Sequence, residues 1–230
     1  MFGSTASLLI TQAADWTFVL DSWGYLAGGL VLTIELTFVS ILLGFFAGFP
    51  AGIAEVYGSR LLRTPVRVVG TVLRGTPLVV ILIFAYFVFP IHSAFVAAVL
   101  GLGLRSAAYQ SQIFRGALAS IDEGQMEAAR SVGMSRLKAI RHVIVPQALR
   151  RSMPGFQNEF TIVLKDTSLA FAIGFAELLT RTQTLFVQQT TAVLELFLFA
   201  SAIYFVLTFA TNRALDRVES HFEIPDGDTA

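Results

Sequence analysis

The sequence contains no cysteine, which excludes disulfides and thiolate metal sites, and only His92, His142 and His221 remain as imidazole ligands. No metal site is expected. Charged residues are scarce, at 14% of 230 residues, and the 16 basic and 16 acidic side chains cancel to a net charge of zero. The whole-chain balance therefore points to no partner, nucleic acid included, and only the local placement of charge is informative. No G-x-x-x-x-G-K-[ST] stretch occurs, so the chain has no phosphate-cradling loop and no ATP site of its own. Repeats of solenoid type and low-complexity linkers are also missing. The first 23 residues carry Asp15 and Asp21 but no basic residue, unlike the start of a secretory signal, so no cleavage is expected.

What is abundant is apolar surface. The hydrophobic fraction is 55% and the mean hydropathy +0.70, more than a soluble fold of this size hides in its core. Residues 24–54 carry one charge, Glu35, and residues 190–212 carry one, Glu195; about 20 apolar residues cross a bilayer as helix. Between them, residues 77–104 are uncharged apart from His92, and Pro90 breaks the run, predicting two spans over 66–89 and 91–117. A fifth span is predicted over 154–179, apolar except for Glu159, Lys165, Asp166 and Glu177. Gly44, Gly48 and Gly52 form a smooth ridge on the first span, where another helix can approach closely.

The basic residues set the orientation. Arg60, Arg63 and Arg67 follow the first span, and Arg130, Arg136, Lys138, Arg141, Arg150 and Arg151 follow the third. The positive-inside rule places both loops in the cytoplasm, the N-terminus outside and the C-terminus inside. The expected architecture is an all-α membrane protein with five transmembrane helices, divided into an extracytoplasmic segment (1–23), a membrane domain (24–218) and a cytoplasmic tail (219–230). Within it, residues 118–150 form a polar cytoplasmic island. There, Ser120-Ile121-Asp122-Glu123 fits a capping box that starts a helix. Gly133 is placed to end that helix, Ser135 to cap a second, and Pro146 to stop the second. Leu137, Ile140 and Ile144 make an apolar stripe opposite Arg136, Lys138 and Arg141, suited to the headgroup layer or to a protein partner.

The order Glu127-Ala128-Ala129, Gly133, Val143, Val145-Pro146 resembles the EAA loop of ABC importer permeases, with valine where isoleucine and leucine are usual before the proline. Further likeness lies in Arg74-Gly75-Thr76-Pro77-Leu78, residues 109–116 (YQSQIFRG), Gly124-Gln125, Pro146-Gln147-Ala148-Leu149-Arg150 and Lys165-Asp166-Thr167-Ser168-Leu169. Together these resemble the polar amino-acid permease family of histidine, glutamine and arginine type. One departure is Gln112, where the family commonly has glutamate. The resemblance implies a type I ABC importer transmembrane fold in the cell membrane, with no cofactor of its own. It implies a coupling loop in which Glu127, Ala128, Ala129, Gly133, Met134 and Ser135 meet a separate ATPase dimer. A second permease copy, identical or not, and an extracytoplasmic solute-binding protein are the other implied partners.

Asp166 lies 12 residues past Pro154, about 18 Å into its span. A lone charge at that depth costs at least about 2.5 kcal/mol, so it must face protein or water and find a partner. Glu159 and Asp166 share a helix face and Lys165 points about 100° away, so the three could line one cavity and match both charges of a zwitterion. The alternative is that they only fix packing, with Glu35 as one possible partner. The resemblance implies that substrate is held at Glu159, Lys165 and Asp166, with Asn158, Thr167 and Thr76 as further candidates. Glu159 could receive a cationic side chain, giving a lean toward basic amino acids. Arg105 could meet the acidic rim of a binding protein or pair with Asp15 or Asp21, and Arg74 is expected to snorkel. The competing readings are a permease for another small solute such as methionine, an ion-coupled secondary transporter using Lys165 and Asp166, and a purely structural membrane subunit.

Overall fold

A computed structural model describes residues 15–89 and 91–222, and among them every regular element is helical. Residues 15–21 are helical and lead into α1, Trp23–Tyr57. α1 buries one face, Leu26, Gly29, Thr33, Leu36, Ser40, Gly44 and Gly48 among it, at the three-and-four spacing of a helix stripe. Its other face leaves Val31, Ile34, Phe38, Leu42 and Phe46 exposed, as a helix whose solvent is lipid requires. α1 and the stretch Thr190–Val218 are each long and apolar enough to cross a membrane unaided.

The second predicted span is not one straight helix. α2, Arg60–Gly75, is followed by α3, Leu78–Ile83, and the stretch Leu78–Val88 that α3 begins is bent from α2 by 107°. Pro77 explains the bend: it lacks an N–H and forces the residue before it out of helical geometry, and Thr76 is extended with φ −94° and ψ 132°. α3 widens into a π-turn, Phe84–Val88, before the chain leaves helix near Pro90, which lies outside the described residues. α4, Ala94–Ala119, follows, capped by the Ser93 hydroxyl. The glycine ridge of α1 seats α4: a side chain at Gly48 would come within 2.6 Å of the Ala107 carbonyl, and one at Gly52 within 2.9 Å of the Ser111 carbonyl. The ridge therefore serves packing inside one chain and not contact with a second copy.

After α5, Glu123–Ser131, comes α6, Arg136–Ala139, a π-turn over Ile140–Ile144, and α7, Val145–Asp166. Pro146 does not stop the helix as expected. The wide turn carries the backbone past the missing N–H, with the Val145 N–H bonding the Ile140 carbonyl five residues back. Residues 136–166 are thus one helical rod. The fifth predicted span fails to continue beyond it: α7 tightens into a 3₁₀ turn, Thr167–Ile173, which Gly174 ends in the left-handed conformation at φ +72°. α8, Leu178–Gln188, then leads through a short turn, Thr190–Ala192, to α9, Val193–Phe222.

One buried carboxylate ties this broken segment down. Glu177 accepts from the N–H groups of Leu179 and Thr180, the Thr180 hydroxyl and the Tyr204 hydroxyl of α9, all at 2.7–2.9 Å. Glu177→Ala removes a helix cap and orphans buried donors, and is expected to destabilise the protein by about 2–4 kcal/mol, read as a lowered melting temperature in lipid nanodiscs. The main core cluster, including Leu36, Ile41, Leu82, Ala98, Leu102, Val163 and Ile173, joins α1, α3, α4, α7 and the 3₁₀ turn.

Candidate functional site

The polar island folds as one short helix, α5, and the first turns of the 136–166 rod, both held against the end of α1. The predicted capping box at Ser120 is not formed. α4 runs to Ala119, so Ser120 closes that helix with its hydroxyl on the Ala117 carbonyl, and Asp122 caps α5 by accepting from the Gly124 N–H at 2.7 Å. Gly133 ends α5 at φ +88°. The Met134 N–H reaches back to the Ala129 carbonyl at 3.1 Å and the Gly133 N–H to the Arg130 carbonyl at 3.0 Å, the paired closure that a left-handed glycine allows. Ser135 caps α6 through the Lys138 N–H at 3.4 Å.

Ile121, Ile144 and Ala148 bury themselves with Val56, Tyr57 and Met126, and the Arg136 guanidinium lies 5.9 Å over the Tyr57 ring. The outer surface is different. Glu127, Ala128 and Ser135 are exposed while Ala129 is buried, and Val132 and Leu137 stand 74% and 75% exposed. Of the predicted stripe, Ile140 and Ile144 face inward and Leu137 does not. An apolar, solvent-facing pair at the tip of a polar loop is a surface that a partner can cover.

The charges of the membrane region gather where α4 crosses α7. Asp166 accepts from the Arg105 guanidinium at 2.6 Å, each side chain about a quarter exposed. Glu159 is buried and accepts from the Ser106 hydroxyl at 2.8 Å. Ser106 in turn accepts from the Gln110 amide at 3.1 Å, and that amide also reaches the Ile41 carbonyl of α1 at 3.3 Å. Two buried polar atoms here, Arg105 Nε and Gln110 Oε1, have no partner among the described residues. Lys165 is exposed beside the pair. Thr167 is buried with its hydroxyl on the Leu164 carbonyl, whereas Asn158 is exposed on the same helix. Thr76 bonds the Val72 carbonyl and lines an apolar cavity of about 770 Å³ with Leu73, Phe84, Gly101 and Leu104. The cavity lining is apolar apart from Thr76 and includes none of Arg105, Glu159, Lys165 or Asp166.

Two expectations for these charges do not hold. Arg105 meets Asp166, and not Asp15, whose carboxylate accepts from the Thr191 hydroxyl. Arg74 does not snorkel: its guanidinium donates to the Ala108 carbonyl of α4 at 2.8 Å. Glu35 sits on the exposed face of α1, away from Asp166's partner. Residues 40–224 match the family model described as binding-protein-dependent transport system inner membrane component. The chain belongs to that family. Like other members, the permease is a multi-pass membrane protein and a transport subunit, not an enzyme.

The permease is 35% identical over 222 residues to the L-cystine transport system permease protein TcyB of Bacillus subtilis, covering 94% of this chain and 95% of that protein. It is 34% identical to the glutamine transport system permease protein GlnP of Escherichia coli over 216 residues, 91% and 98% of the two chains. Among solved structures, an amino acid ABC transporter crystallised with histidines superposes with a TM-score of 0.80 at 32% identity, covering 88% of this chain and 96% of that one. The MetNI methionine transporter superposes with a TM-score of 0.75 at 20% identity, covering 89% and 99%, a likeness of fold alone.

Proposed function

We propose that the chain is the membrane-spanning permease subunit of an ATP-driven importer for polar amino acids, with five spans, the N-terminus outside and the 118–150 loop in the cytoplasm. The observation that carries this reading is a rod. Residues 136–166 run as one helix from the exposed loop to the Glu159, Lys165 and Asp166 cluster, so a partner gripping the loop acts directly on the charged site. Glu127, Ala128, Ala129, Gly133, Met134 and Ser135 form the face for a separate ATPase dimer. An extracytoplasmic binding protein delivers the substrate, and a second permease copy, identical or related, completes the path. The cystine and glutamine relatives support amino acids as cargo.

A zwitterion needs a cation for its carboxylate and an anion for its ammonium. Arg105 with its unpartnered Nε joins Lys165 on the first side, and Glu159 and Asp166 supply the second. Because Asp166 is already matched by Arg105, Glu159 is the carboxylate left to receive a cationic side chain, which keeps the lean toward basic amino acids. A charge-assisted hydrogen bond contributes about 1.5–3 kcal/mol, or roughly 10–100-fold in affinity. Glu159→Gln is therefore expected to lower arginine uptake at least tenfold in proteoliposomes holding the complete transporter, and glutamine uptake much less. Arginine uptake unchanged by the substitution would remove the basic preference. Uptake that survives ATP depletion but collapses with an uncoupler would replace the importer reading with ion-coupled transport.

A further inference from the structure

The cytoplasmic ends of three helices meet at one carboxylate. Glu55, near the end of α1, is almost wholly buried. Its Oε1 accepts from the Gln112 amide of α4 at 2.8 Å, and its Oε2 lies 3.9 Å from both Arg67 Nε of α2 and Arg115 Nε of α4. Arg115 Nε also donates to Gln112 Oε1 at 2.8 Å, closing a ring of three side chains. The contacts are unequal. The bond from Gln112 is short and involves a charged acceptor, which makes it one of the stronger kind. The arginine approaches are long, and the two arginine side chains are 60% and 45% exposed, a class of ion pair that contributes little. Glu55 is thus fastened to α4 and only loosely to α2.

The surroundings give this asymmetry a use. Two residues further on, Tyr57 lies under Arg136 of α6, and Val56 and Tyr57 pack with Met126 of α5, so the end of α1 is the seat of the polar loop. On the far side, α2 runs from Arg67 to the bend at Pro77, where Thr76 lines the apolar cavity between α2, α3 and α4. We propose that Glu55 is a positioning residue for transport: it is the joint through which displacement of the loop is passed to α2, and Gln112 holds it in place. This rests on α5 and α6 being the ATPase-docking loop. Without the carboxylate, Arg67 and Arg115 lose their shared counter-ion, and α2 is left with the bonds of Arg63 to the Val56 and Gly58 carbonyls and of Arg74 to the Ala108 carbonyl, so it follows the α1–α4 pair less closely.

The test is to move the charge rather than delete it, since residues 55 and 112 touch. In proteoliposomes containing permease, ATPase and binding protein, uptake of a mixture of radiolabelled amino acids is measured together with ATP hydrolysis. Glu55→Gln is expected to keep its ATPase on co-purification and to hydrolyse ATP, yet to import at least tenfold less per ATP. The swap Glu55→Gln with Gln112→Glu returns a carboxylate to the same cluster, against Arg115, and is expected to restore at least half the wild-type ratio. An unchanged ratio in Glu55→Gln overturns the proposal, as does a swap that docks normally and stays uncoupled. Failure of the unaltered permease to retain an ATPase is a separate result; it would overturn the docking reading, and this proposal with it.

Discussion

Replacing Gly133 with tryptophan is expected to leave ATP hydrolysis running while uptake falls at least tenfold. At φ +88° a side chain is strained, which costs about 1–2 kcal/mol for an ordinary L-residue. That is enough to loosen the turn between α5 and α6, though not to unfold the protein. No atom beyond the adjoining residues lies within 4 Å of where a Cβ would sit, so the start of the side chain meets open space. The indole adds bulk to a turn whose neighbours Val132 and Leu137 are already exposed, where a docked subunit would meet it. Gly133→Asn separates strain from obstruction, because asparagine tolerates left-handed geometry and is short; it is expected to keep most of the uptake. Normal transport by Gly133→Trp would show that this turn does not transmit work.

Asp166→Asn is expected to reduce uptake by roughly 30–100-fold with assembly intact. The substitution strips Arg105 of its counter-ion, and breaking a buried pair costs about 3–5 kcal/mol. Both side chains are about a quarter exposed, so water recovers part of that, and about 2–3 kcal/mol is the appropriate scale, each 1.4 kcal/mol being tenfold. The double variant Arg105→Gln with Asp166→Asn decides what the pair is for. If the two charges only satisfy each other, removing both relieves the fault and uptake returns. If they meet the substrate, the double variant stays at least as impaired as the single, which is the expected result. Melting temperature and ATPase co-purification, followed alongside, report any loss through misfolding.

Much of the architecture was legible because lipid demands long apolar runs, and α1 and α9 announce themselves by composition. Gly133 and Ser135 were legible for another reason: each does a local job that few residues do as well. The misreadings arose where two residues could do the same job. Ser120 and Asp122 are both good caps, and only the length of α4 decides that Ser120 belongs to the helix before. Proline was the other difficulty, since its missing N–H can be met by a break, as at Pro77, or by a widened turn, as at Pro146, and neither leaves a signature in spacing. Arg105 was within reach. It stands 12 residues past the Ser93 cap, as deep in α4 as Asp166 is past Pro154, and the same count of rise per residue would have paired them. Ser106 and Gln110 were not within reach, because polar residues on a small-residue face look like packing until a neighbour's carboxylate is beside them.

The unbroken helix from Arg136 to Asp166 imposes a rule of phase as well as of force. Each residue along a helix advances the azimuth by about 100°, so the compass bearing of Glu159 and Asp166 relative to the loop is set by how many residues lie between them. A single insertion between Val145 and Asn158 would lengthen the rod by only about 1.5 Å, yet it would swing both carboxylates by about 100° off their present bearing toward α4. The segment can therefore change its residues far more freely than its length.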